Sequence, residues 1–278
     1  MADEIVALTA AADAMRLGLA KPVLVGSEAA IRSVASAAAL EDLLRSAEFV
    51  ATDEPALLSA RMAAAGDVDI MLKGHLRTDE LLHAVLDRDV GLRTGALLSD
   101  VLLYEDTLSG SPRLVGITDG GLNILPDIEQ KRQIILNAID VLHRLGLKRP
   151  KIALMSATEI ASDRMRSTVE AAALTKIGQE GAFGDADVYG PLALDNALST
   201  KAAEAKGIRN AVAGRADCMV VPSIEAGNLL GKAVKYIGRS PCAHVVVGAK
   251  VPILIPSRTE SADDKVNAIA LGVVYGSG

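Results

Sequence analysis

The chain has 278 residues, half of them hydrophobic, enough to bury a sizeable core as one large domain or two smaller ones and too apolar to be disordered. Aromatic residues are only 2% and Trp is absent, so the core is Ala, Val, Leu and Ile, which suits helices packed closely on a sheet. A net charge of -6, with the 29 basic residues scattered, gives a nucleic-acid backbone no track to follow.

The N-terminus, MADEIVALTAAADAMRLGLAKPVLVG, begins with acids and lacks a basic region followed by an apolar segment. No apolar run approaches the roughly 20 residues of a membrane span. A cytoplasmic protein is expected. Short apolar runs ending at Gly, Ser or Pro then alternate with longer segments of helical period. PVLVG at Pro22 leads into EAAIRSVASAAALEDLL, and DVDIMLKG at Asp67 leads into TDELLHAVL, where Thr78 is placed to cap the next turn. KIALMSA at Lys151, DCMVVPS at Asp217 and HVVVGA at His244 repeat the pattern. Continuous apolar strands are covered on both faces, so the expected class is α/β with a mostly parallel sheet and crossover helices.

One stretch breaks the rhythm. ALLSDVLLYEDTLSGSPRLVGITDGG, from Ala96, reads as two strands joined by a turn at Ser109 to Pro112. The next segment, IEQKRQIILNAIDVLHRLG, is an amphipathic helix that stops at Gly146. A hairpin inserted into an alternating pattern marks a second domain. The expected division is residues 1–95 with 246–278, and residues 96–245.

Several familiar signatures fail. GNLLGKA at Gly227 is one residue short of a phosphate loop and has Ala where a hydroxyl would meet the metal. There is no GxSxG elbow. His75, His83, His143 and His244 form no pair with metal-ligand spacing, and Cys218 and Cys242 are too few for a knuckle or a disulfide framework. No metal site is expected. In LKGH, Lys73 and Gly74 follow a strand and precede a helix, where an ammonium and backbone N–H groups meet an anion. A tight turn with a surface lysine accounts for them equally well. GLRTG offers Arg93 and Thr94 between two flexible glycines, and simple solvation explains an exposed loop arginine.

Near the C-terminus, VPILIPSRTESADDKVNAIALGVV carries two readings at once. Ser261 and Asp264 fit a capping box, with Val266, Ile269 and Val273 as the buried stripe of the helix. Ser257 and Arg258 lie at the carboxyl end of a buried strand, where ligands gather in open α/β sheets. Arg258 offers a planar fork for phosphate or carboxylate, Ser257 a hydrogen bond, and Asp264 a proton acceptor.

With these residues, the chain resembles the phosphate acetyltransferases and phosphate butyryltransferases, the butyryl-type branch more closely. The likeness runs from PVLVG through LLSDVLLYE, KIALMSATE, GPLALDNALS and ADCMVVPSIEAGNLLGKAVKY to GAKVPILIPSRTESADDK. The resemblance implies a two-domain α/β/α sandwich similar to the isocitrate and isopropylmalate dehydrogenases, a homodimer, and an active site between the domains. It implies reversible acyl transfer between coenzyme A and inorganic phosphate, with coenzyme A as substrate and no bound cofactor. Ser257, Arg258 and Asp264 match the family's catalytic Ser-Arg pair and aspartate. Arg93 is the candidate for a further substrate arginine. Two other readings are a metal-dependent hydroxyacid dehydrogenase using Asp263 and Asp264, and a non-catalytic acyl-CoA binding protein.

Overall fold

The computed structural model describes residues 2–108, 111–257 and 259–277. It divides into two compact units, Met1–Ala96 with Ala243–Gly278, and Leu97–Cys242. In chain order the first unit contains α1 (Ile5–Arg16), β1 (Val23–Gly26), α2 (Glu28–Ala37), α3 (Glu41–Ser46), β2 (Glu48–Ala51), α4 (Pro55–Ala65), β3 (Met71–Leu72) and α5 (Thr78–Leu86). The second contains β4 (Ser99–Asp106), β5 (Arg113–Thr118), α6 (Ile128–Arg144), β6 (Lys151–Met155), α7 (Arg166–Gln179), β7 (Asp187–Leu192), α8 (Leu194–Leu198), α9 (Thr200–Ala205), β8 (Cys218–Val220) and α10 (Ile224–Lys232). The chain returns through β9 (Cys242–Val247), β10 (Ile253–Leu254) and α11 (Ala262–Gly276).

In the second unit the strands run in the order β4-β5-β8-β6-β7, antiparallel at β4/β5 and parallel elsewhere. The inserted hairpin is therefore β4–β5, and part of its expected turn, at Ser109 and Gly110, lies outside the described residues. The expected amphipathic helix is α6, opened by an Asp127–Gln130 capping box and closed before Gly146 at φ 91°. Its buried face, including Ile134, Ile135, Ala138 and Leu142, packs with Ile152, Leu154 and Leu174.

The first unit pairs β1 with β2 in parallel, β3 with β10 in parallel, and β10 with β9 antiparallel. The helical stretch after β1 is broken rather than continuous. α2 stops at Ala37, Ala39 takes φ 54°, and α3 begins at Glu41. The bend lets Leu40 and Leu43 join Ile31 and Ala35 in one core. Thr78 is not a cap. Arg77 holds the N-cap position without a capping side chain, and its guanidinium instead donates to Asp79 at 3.0 and 2.6 Å. The buried face of α11 is also rotated from the expected stripe. It comprises Lys265, Ala268, Ile269, Leu271 and Gly272, while Val266 and Val273 are half-buried. Gly272 lets α11 lie close to Leu254 and Ile70.

A cavity of 1140 Å³ lies within this first unit, lined by β1, β3 and residues of α1, α4 and α11.

Candidate functional site

Parallel pairing of β3 with β10 sets the frame. Met71 N–H donates to Pro252 C=O (3.1 Å) and Lys73 N–H to Leu254 C=O (2.9 Å), so both strands deliver their carboxyl ends to one place. Lys73 and Gly74 leave from β3 and Ser257 follows β10, as expected for a ligand-facing edge. Lys73 is only 7% exposed, and its ammonium lies 3.3 Å from the Leu76 carbonyl and 3.5 Å from that of Gly74. It ties the LKGH turn down.

Ser257 is half-buried, with its Oγ 3.2 Å from the Thr259 hydroxyl. Its carbonyl accepts from Glu260 N–H at 3.1 Å, closing a tight turn. Glu260 is 7% exposed, and its carboxylate lies 3.5 Å from His244 Nε2. Because β9 runs antiparallel to β10, the start of β9 sits beside the carboxyl end of β10. The sequence reading gave His244 no role, since nothing in the spacing of residues 244 and 260 marks them as neighbours.

Asp264 is held by the expected capping box. Its Oδ2 accepts from Ser261 N–H (3.0 Å) and from Ser261 Oγ–H (2.7 Å), and its own N–H donates to Ser261 Oγ (3.2 Å). A carboxylate on the first turn of a 15-residue helix is also favoured by the helix dipole. The adjacent Lys265 is fully buried, its Nζ 3.6 Å from Glu4 Oε1, which ties the start of α11 to the start of α1. Arg258 lies outside the described residues.

Arg93 and Thr94 lie elsewhere in the same unit. Arg93 forms an antiparallel bridge with Ala249, and Thr94 Oγ1 donates to Gly248 C=O at 2.6 Å. Gly248 and Ala249 belong to the turn joining β9 to β10, whereas Ser257 follows the other end of β10. Strand direction thus separates Arg93 and Thr94 from Ser257.

In the second unit, GNLLGKA lies on α10 and its end rather than in a loop, so its amides serve the helix. Gly227 is small for a packing reason: a Cβ there would stand 2.6 Å from Gly120 Cα and 2.9 Å from Asp119 C=O. Asp119 accepts from the N–H groups of Gly121 (2.8 Å) and Leu122 (2.9 Å) and from Asn123 Nδ2 (2.6 Å). Burial, with the Asp100 charge second, nevertheless raises its pKa above the ordinary value. The GPLALDNA stretch runs from the end of β7 into α8, where the buried Asn196 places its Nδ2 3.4 Å from Glu159 Oε2. Among the described residues, no group of three or more His, Cys, Asp or Glu side chains is placed to hold a metal ion, and no helix is long and apolar enough to cross a membrane.

A sequence model of the family described as "Phosphate acetyl/butaryl transferase" matches residues 42–273. The chain belongs to this family. It is an acyltransferase by that membership, and the dehydrogenase and non-catalytic readings are not favoured. Among curated relatives of this acyltransferase, a phosphate acetyltransferase of Rhizobium meliloti is 39% identical over 96% of this chain and 84% of its own length. A probable phosphate butyryltransferase of Bacillus subtilis (strain 168) is 42% identical over 80% of this chain and 73% of its own. A crystal structure of a branched-chain phosphotransacylase from Enterococcus faecalis V583 superposes with a TM-score of 0.81 at 29% identity, covering 92% of the acyltransferase and 99% of that chain.

Proposed function

We propose that this acyltransferase moves a short acyl group, acetyl or butyryl, reversibly between coenzyme A and inorganic phosphate, with Ser257, Arg258 and Asp264 at the reacting atoms. The observation that carries the reading is the capping box, which fixes the Asp264 carboxylate at the end of the turn that bears Ser257. Lys73 and Gly74, leaving the neighbouring strand at the same end, are assigned to substrate anion. Arg93 and Thr94 are assigned to a part of coenzyme A remote from the thiol.

A coenzyme A thiol has a pKa of roughly 8.5, judged from cysteine, so little of it is thiolate at neutral pH. Asp264 takes the thiol proton as sulfur attacks the carbonyl carbon of the acyl phosphate. Charge grows on the carbonyl oxygen, and the carbon–oxygen bond to phosphate then breaks. Ser257 donates to the charged oxygen and Arg258 holds the departing phosphate, each such contact typically worth about 2.7–4 kcal/mol. In the reverse direction a phosphate oxygen attacks the thioester, the carbon–sulfur bond breaks, and Asp264 returns the proton to sulfur. Transfer is direct, within a ternary complex. We read residues 1–95 with 246–278 and residues 96–245 as folding domains, each with its own apolar core, in a cytoplasmic homodimer.

The test is release of free coenzyme A thiol by purified protein from acetyl-CoA, butyryl-CoA and hexanoyl-CoA, with and without phosphate. Release that requires phosphate is expected with at least one short chain. Release independent of phosphate, or binding without turnover, would overturn the proposal.

A further inference from the structure

The segment that carries Ser257 is anchored at both ends. Upstream, Ile253 and Leu254 pair with β3, and Ile253 also with Val246 of β9. Downstream, Ser261 and Asp264 close their capping box on each other. Between these anchors, the Ser257 carbonyl is held by the N–H of Glu260 at 3.1 Å. Where Glu260 sits therefore sets where Ser257 sits.

Glu260 is held in turn from outside the turn. Its carboxylate is buried, and a buried carboxyl group is costly unless polar groups meet it. His244 Nε2 faces it at 3.5 Å. His244 belongs to β9, and the Ile253↔Val246 register, continued two residues, sets it opposite Ile255, two positions before Ser257. The imidazole is thus mounted on a paired strand beside the turn. An N–H at Nε2 serves a carboxylate in the protonated ring and in one neutral tautomer alike. The acyl-transfer scheme gives this pair no part, yet it braces the backbone that presents the Ser257 hydroxyl.

We propose that His244 is a positioning residue for acyl transfer: by holding the Glu260 carboxylate it fixes the N–H that closes the Ser257 turn, and so holds the Ser257 hydroxyl where charge develops on the acyl oxygen. The kinetic part of this role rests on the acyl-transfer reading. The tie between His244 and the turn does not.

Two variants test it. His244→Leu removes the nitrogen that faces Glu260, and His244→Gln restores a donor of similar reach. With acetyl-CoA or butyryl-CoA and phosphate, His244→Leu is expected to lower kcat about tenfold or more while KM stays within about twofold, and His244→Gln to recover most of that loss. Without substrate, the Glu260 amide of His244→Leu is expected to exchange roughly tenfold faster than in wild type, while the Asp264 amide, held by its own box, is unchanged. Wild-type kcat in His244→Leu, or wild-type exchange at its Glu260 amide, would overturn the proposal. So would equal acceleration at Glu260 and Asp264, the mark of general loosening, or failure of His244→Gln to restore kcat. Wild-type protein that releases no thiol with phosphate would instead overturn the acyl-transfer reading and the kinetic role with it, and exchange at Glu260 would still decide whether His244 holds the turn.

Discussion

Ser257 and Cys218 show how environment sets what a side chain does. Ser257 sits in a closed turn with its hydroxyl near Thr259 and its carbonyl committed to Glu260 N–H. Ser257→Ala is therefore predicted to keep the fold while lowering kcat by roughly 10²–10³, the usual effect of removing one donor to a developing oxyanion. A shift in melting temperature with unchanged kcat would count against that role. Cys218 is the opposite case. Burial, with the Asp217 charge second, pushes its thiol up to about 12, so it stays protonated at pH 8. Native protein is predicted to leave Cys218 unmodified by a thiol reagent at pH 8, and denatured protein to react at both cysteines. Rapid native labelling of Cys218 would contradict the packing described. Asp119 gives a pH signature. Its folded pKa is raised, so its contribution to stability is complete below the unfolded value, about 3.9, and is lost as pH rises through the folded value. The melting temperature of wild type minus that of Asp119→Asn is predicted to fall between pH 4 and pH 7, and a rising difference would refute the sign.

Local elements were legible where their chemistry is local. The Ser261–Asp264 box needs only a three-residue spacing, and both of its reciprocal bonds are present. The break between α2 and α3 was not legible, because Ala39 takes a left-handed φ without being Gly or Asn. Its cause is the burial of Leu40 and Leu43, which is tertiary. The buried face of α11 was misjudged because Lys265 takes a core position through its pairing with Glu4, which hydrophobic periodicity cannot register. GNLLGKA shows how helix packing can imitate a phosphate loop, since Gly227 is needed for close approach to Gly120. Gly227→Ala is predicted to destabilise by about 1–3 kcal/mol through backbone overlap. An unchanged denaturation midpoint would show that α10 does not press on the turn after β5.

For the molecule as a whole, the alternation of apolar runs with helical segments carried the α/β class, and the quoted blocks carried the family. The neighbours in the candidate site were less accessible. Lys73 meets the end of β10 through strand pairing between distant parts of the chain, and His244 meets Glu260 only because β9 turns back along β10. The central claim concerns one carboxylate that both caps α11 and takes the coenzyme A proton. Asp264→Asn keeps an acceptor for the cap and removes the base, so its cost in stability is below the typical cap loss of about 1 kcal/mol. General-base loss costs about 10²–10⁴ in rate. The direct measurement is therefore phosphate-dependent thiol release from butyryl-CoA and acetyl-CoA by wild type and Asp264→Asn, with melting temperatures recorded on the same samples. The prediction is a fall of roughly 10² or more in kcat at nearly unchanged melting temperature. Undiminished turnover in the variant, or a loss of activity that tracks its unfolding, would contradict the account.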